Sequence, residues 1–168
     1  KNLGKFTLLS LKNIGKFIIF GANFFFWLPR KPFFIKQFLK QVFEIGYLSL
    51  PVVGLTAIFS GMVLAIQSFT SFARLGAEDA VATVVVLSIT KELGPVLAGL
   101  MVAGRVGASI TAEIGTMKVS EQIDALYVMS TRPIQYLVIP RVLAGLICLP
   151  FLVIIGDVIG IMGGWIIG

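Results

Sequence analysis

Lys91, Glu92 and Arg105 stand in a stretch, Lys91 to Glu113, that is otherwise dominated by apolar and small residues. An ionisable side chain near the centre of a bilayer costs roughly 2.5–3.5 kcal/mol, so it faces protein or water rather than lipid. Two kinds of chemistry are then open to these groups. They can hold helices in register, or they can line a wet cavity that meets a polar headgroup. Arg105 suits the inner interface, where its stem can lie along apolar surface while the guanidinium reaches phosphates. At ~1.5 Å per residue, Lys91 and Glu92 then lie about 20 Å further out. Asp157, the lone charge in the last apolar run, falls in the same outer half, and pairing with Lys91 across helices is the expectation. Lys91 and Glu92 themselves point about 100° apart on a helix and are poor partners for each other.

Other chemistries are excluded by what is missing. The chain has no histidine and one cysteine, Cys148, so it can form neither a Ser-His-Asp or Cys-His nucleophile nor a Cys/His zinc cluster. Glu92, Glu113 and Asp157 are too dispersed to form a local acidic metal site. No Gly-x-x-x-x-Gly-Lys-Ser/Thr loop occurs, so ATP is not hydrolysed here in the P-loop manner. No catalytic residue, metal or cofactor is expected.

The elements that must position the charges are membrane helices. Hydrophobic residues make up 57% of the 168 positions and charged residues 13%, with a mean hydropathy of +0.98. A soluble domain is nearer half apolar and a quarter charged. Residues 1–44 read as an interfacial elbow of basic amphipathic helices. Lys1, Lys5, Lys12 and Lys16 share one arc, and a Pro29-Arg30-Lys31-Pro32 break follows. Residues 33–44 then set Ile35, Phe38, Leu39 and Val42 against Lys36, Gln37, Lys40, Gln41 and Glu44. Residues 45–168 read as a transmembrane domain with spans at about 45–73, 80–112 and 141–168. Gly94-Pro95 predicts a bend in the second span, because Pro95 has no N–H to donate. Beginning at Lys1 and stopping at Gly168 inside an apolar run, the sequence reads as a piece of a longer protein.

Small residues four apart mark expected helix-pairing faces, since they let backbones approach closely in lipid. One row contains Gly104 and Ala108, and another contains Gly156, Gly160 and Gly164, beside Asp157. Between the second and third spans, about 119–130 reads as a short helix with Ser120 as its N-cap and Glu121 and Asp124 in its first turn. Lys/Arg bias sets orientation. Eight basic residues precede Ile45, Arg74 alone follows the first span, and Lys118, Arg132 and Arg141 belong to the 113–141 loop. The N-terminus and that loop are therefore expected in the cytoplasm, with the 74–79 turn and residue 168 facing outward.

Lys91-Glu-Leu-Gly-Pro-Val, Ala103-Gly-Arg-Val-Gly, Thr111-Ala-Glu-Ile-Gly-Thr-Met and Glu121-Gln-Ile-Asp-Ala-Leu resemble the MlaE permease family. Pro140-Arg141, Leu149-Pro150 and the closing Gly-Gly-Trp are similar too, and the likeness runs from about Ile45 to Trp165. The resemblance implies the membrane subunit of an ABC transporter that moves phospholipids between inner and outer membranes. It implies five spans in all, of which three are present here, and an address in a bacterial inner membrane. The implied partners are a second permease copy, a cytoplasmic ATPase, a periplasmic MCE-domain protein and a STAS-domain subunit. It places Lys91, Glu92 and Arg105 next to the family's lipid cavity and makes 119–130 a cytoplasmic coupling helix. Contacts to the ATPase are implied at Glu113, Lys118, Glu121, Gln122, Asp124 and Leu126. Tyr127 and Arg132 depart from the acids common in the family.

The expectation is thus an all-α membrane protein acting as a non-enzymatic permease subunit driven by a partner. Two other classes were weighed: a membrane-embedded lipid transferase, and a proton-coupled secondary transporter using Glu92 and Asp157.

Overall fold

The structure, a computed structural model, describes residues 2–27, 34–74, 76–77, 80–129 and 131–167, with side chains from residue 11 onward except 17, 25 and 27. The lysine arc at Lys1 and Lys5, the 29–32 break and the acidic pair Glu78 and Asp79 lie outside the described residues and side chains. The fold is all-helical among the described residues. Helix α1 is Asn2–Trp27, α2 is Ile35–Ile45, α3 is Leu50–Ala73, α4 is Ala80–Ser88, α5 is Gly94–Val119, α6 is Gln122–Val128 and α7 is Ile139–Ile167.

Three continuous helical stretches are long and apolar enough to cross a membrane: Ile35–Ala73, Ala80–Val119 and Ile134–Ile167. Each is interrupted for a reason legible in its residues. The first is interrupted by a 3-10 segment, Tyr47–Ser49, which joins α2 to α3. Pro51 occupies the first turn of α3, where a missing N–H costs nothing. The second and third each contain a π turn, Ile89–Leu93 and Ile134–Val138, in which the N–H of Gly94 reaches Ile89 O and that of Ile139 reaches Ile134 O. Pro95 and Pro140 follow directly. A residue that cannot donate leaves the ladder short of one bond, and a wider turn just ahead of it absorbs the irregularity.

Lipid tails are as apolar as leucine, so helices in a membrane associate by close packing rather than by hydrophobic transfer. Helix α7 packs most extensively on α3. A Cβ built on Gly61 would stand 1.9 Å from Gly160 O, and one on Gly163 2.6 Å from Ile58 O. Gly156 packs on Val53, and Gly164 on Val85. The row on α5 behaves otherwise. Gly104 has nothing within 4 Å of a Cβ position, and Ala108 is exposed. Within this chain Gly104 and Ala108 therefore do not pair helices, because α5 turns its opposite face, Ala98 and Val102, to the core. Ile45, Val53, Ala144, Cys148 and Leu152 complete that core where α2, α3, α5 and α7 converge.

Candidate functional site

The charged residues separate into two groups at different positions along the helices. One group surrounds the π turn in the second span. Lys91 and Glu92 lie within the turn and both are exposed. Asp157 of α7 lies against the backbone of that turn: a Cβ on Gly94 would fall 1.6 Å from Asp157 Oδ1. That oxygen is buried without a hydrogen-bond partner. Among the described residues no ion pair joins Lys91 to Asp157, contrary to the expectation from depth alone. Within the π turn Gly94 is the residue that meets Asp157, while Lys91 is exposed. A side chain at 94 would displace the Asp157 carboxylate and crowd Ile89 O, 2.9 Å from a Cβ there.

The other group is a knot of polar side chains. Arg105 Nη1 donates to Ser49 Oγ at 2.9 Å and to Glu44 O at 3.3 Å, tying α5 to the elbow. Ser49 is almost wholly buried. Arg105 lines a small cleft of about 60 Å³ with Gln41, Glu44, Ser109 and Glu113. The structure thus places Arg105 on the elbow and not beside Lys91 and Glu92.

Glu113 accepts a hydrogen bond from Arg141 Nη2, an ion pair between the end of the second span and the start of the third. Arg141 is 4% exposed and its Nη1 also donates to Leu137 O at 3.1 Å, on the π turn before Pro140. Its Nε and the Nε2 of Gln41 are buried without partners. The pair closes the base of the loop carrying α6. Sequence reasoning gave Arg141 no site role. The available signal was a basic residue at the mouth of a span, at the same depth as the acid ending the preceding one.

The loop between these two residues carries α6 and several exposed apolar side chains. Helix α6 is seven residues long, and it begins after Glu121 in the left-handed region at φ 57°. Ser120 does not cap it. Its Oγ donates back to Thr116 O at 2.7 Å, and Ser120 ends α5 instead. Lys118 and Asp124 form an exposed ion pair at 3.6 Å, of little energetic weight. Glu121 and Gln122 are exposed and Leu126 is half-buried. Around them Val119 is 88% exposed, Val128 86% and Met129 72%. Apolar side chains that project from a polar loop suit contact with a protein or a membrane.

Comparison with known proteins adds the following. A profile of the family described as Permease MlaE matches residues 38–168. A "Probable ABC transporter permease protein" of Rickettsia bellii is 58% identical over 167 residues, 99% of this chain and 64% of the relative. The "Intermembrane phospholipid transport system permease protein MlaE" of Haemophilus influenzae is 39% identical over 171 residues, again 99% and 64%. A Synechocystis "Probable ABC transporter permease protein" is 46% identical over 129 residues, 77% of this chain and 49% of its own length. The chain thus spans somewhat less than two thirds of the first two relatives.

Proposed function

The chain belongs to the MlaE permease family, and we propose that it supplies the membrane-spanning part of an ABC transporter permease that moves phospholipids between the inner and outer membranes. The observation that carries this reading is the α6 loop, which presents exposed apolar residues and is fastened at its base by Glu113 and Arg141. A cytoplasmic ATPase gripping α6, through Glu121, Gln122, Asp124 and Leu126, moves the ends of the second and third spans together. Lys118 flanks that contact. Such rigid-body movement of packed helices reshapes whatever space they enclose. Arg105 carries the displacement to the elbow. The exposed Lys91 and Glu92 meet the phospholipid headgroup in the outer half of the membrane.

On this reading the N-terminus and α6 are cytoplasmic, residue 168 is periplasmic, and the membrane is a bacterial inner membrane. A second copy of the permease completes the lipid cavity, a periplasmic MCE-domain protein receives or delivers lipid, and a STAS-domain subunit accompanies the ATPase. The chain itself does no catalysis.

The test is ATP-dependent lipid transfer by the full-length permease, reconstituted with its ATPase in vesicles. Lys91→Gln with Glu92→Gln is expected to slow transfer at least tenfold while ATPase co-purification is unchanged; unimpaired transfer contradicts the headgroup role. The unpartnered Asp157 Oδ1 favours a second reading, proton coupling through Glu92 and Asp157. Transfer driven by a pH gradient in the absence of ATP would select it.

A further inference from the structure

A cavity of about 450 Å³ lies between the elbow and the third span, lined among others by Leu39, Phe43, Tyr47, Cys148, Phe151 and Ile155. Its volume is that of a small-molecule site. It is separate from the Lys91 and Glu92 face, none of whose residues lines it. Its wall on α2 is one face of the helix: Leu39, Val42, Phe43 and Gly46 fall within an arc of about 100°. The opposite face, Gln41 and Ile45, is buried in the protein. The arc next to the groove, about 60° wide, carries Lys36 and Lys40. Both are exposed.

The other wall runs along α7 from Ile147 to Ile155. Eight residues of helix rise about 12 Å. One leaflet of hydrocarbon is about 15 Å deep, half of a ~30 Å core. Phe43 and Tyr47 stack at 5.0 Å on the elbow side. The groove is therefore apolar throughout, open at the surface of the helices, close to an acyl chain in length, and edged by two cations on the first half of α2. Electrostatics favour an anionic headgroup there, because lysines at a membrane surface attract acidic lipid.

We infer that this groove holds one acyl chain of an anionic phospholipid, with Lys36 and Lys40 meeting its headgroup phosphate. The bound lipid wedges the elbow against the third span where Arg105 reaches Ser49. It is a resident lipid at the elbow and not the transported one.

The experiment uses the full-length protein in detergent, incubated with dioleoylphosphatidylglycerol or dioleoylphosphatidylcholine, with retained lipids counted by native mass spectrometry. Leu39→Trp, at an exposed position that tolerates bulk, is expected to lower retained phosphatidylglycerol by one molecule per chain. Lys36→Gln and Lys40→Gln are each expected to reduce the preference for phosphatidylglycerol over phosphatidylcholine about fivefold. An unchanged count in Leu39→Trp overturns the inference. So does a count that falls in Lys91→Gln/Glu92→Gln but not in Leu39→Trp, because the retained lipid then sits on the second span. In vesicles of the two lipids, phosphatidylglycerol with a photoactivatable acyl chain is expected to label peptides containing Leu39 and Phe151. Absence of that label means that another protein segment or a second copy fills the groove, and equally overturns the inference. The readout is retention, so its failure leaves the transport reading standing.

Discussion

At the scale of single residues, Arg141 is the side chain on which most depends. It is a nearly buried guanidinium held by one carboxylate and one backbone carbonyl. Breaking a buried pair by removing one partner costs about 3–5 kcal/mol, since the remaining charge is left uncompensated. Glu113 is 38% exposed on its side chain, which lets water take over part of its role and places the loss at the lower end. Glu113→Ala is therefore expected to destabilise the full-length protein by about 2–3 kcal/mol in detergent unfolding. Glu113→Leu combined with Arg141→Met should restore most of that stability, because two apolar groups of similar size leave no orphan. Equal losses in single and double variants would show that the pair is not coupled. Asp157 shows what depth alone leaves undetermined. Its depth made Lys91 a reasonable partner, but partnership also requires a shared helix face, and it is Gly94 that meets Asp157 while Lys91 is exposed. The Glu113–Arg141 pair was equally hidden in the sequence, since only the fold brings the two ends of that loop together.

At the scale of elements, the three spans were legible because uncharged apolar runs have no other stable environment. Their interruptions were legible in part. Gly94-Pro95 marked the place of the π turn, while the 3-10 segment Tyr47–Ser49 lies in a charge-free run that looked like uninterrupted span. Small-residue rows were legible as faces but not as partners. The row on α7 packs on α3, where Gly61 meets Gly160, whereas the row on α5 is open. These two glycines therefore respond differently to the same change. Gly61→Ala must push α3 from α7 and should cost about 1–3 kcal/mol, as overpacking does. Gly104→Ala meets no atom within the chain and should be neutral, or stabilising by up to about 1 kcal/mol through helix propensity. Thermal unfolding of the two full-length variants side by side checks this. A loss in Gly104→Ala matching that in Gly61→Ala would contradict the open face and reveal a helix packed there.

At the scale of the whole molecule, the fold joins three devices in series. A contact helix projects between two spans, an ion pair fastens its base, and an arginine links the second span to an elbow lying beside a lipid-sized groove. On the proposed reading, movement applied at α6 would reach the elbow through the Glu113–Arg141 and Arg105–Ser49 contacts. The most direct measurement replaces Val128, almost fully exposed on α6, with aspartate in the full-length permease, and records ATP-driven lipid transfer together with capture of the ATPase. Loss of both by tenfold or more, with unfolding temperature unchanged, is the predicted result. Transfer and capture at the levels of the unaltered protein would mean that α6 is not where the motor holds, and would contradict the account.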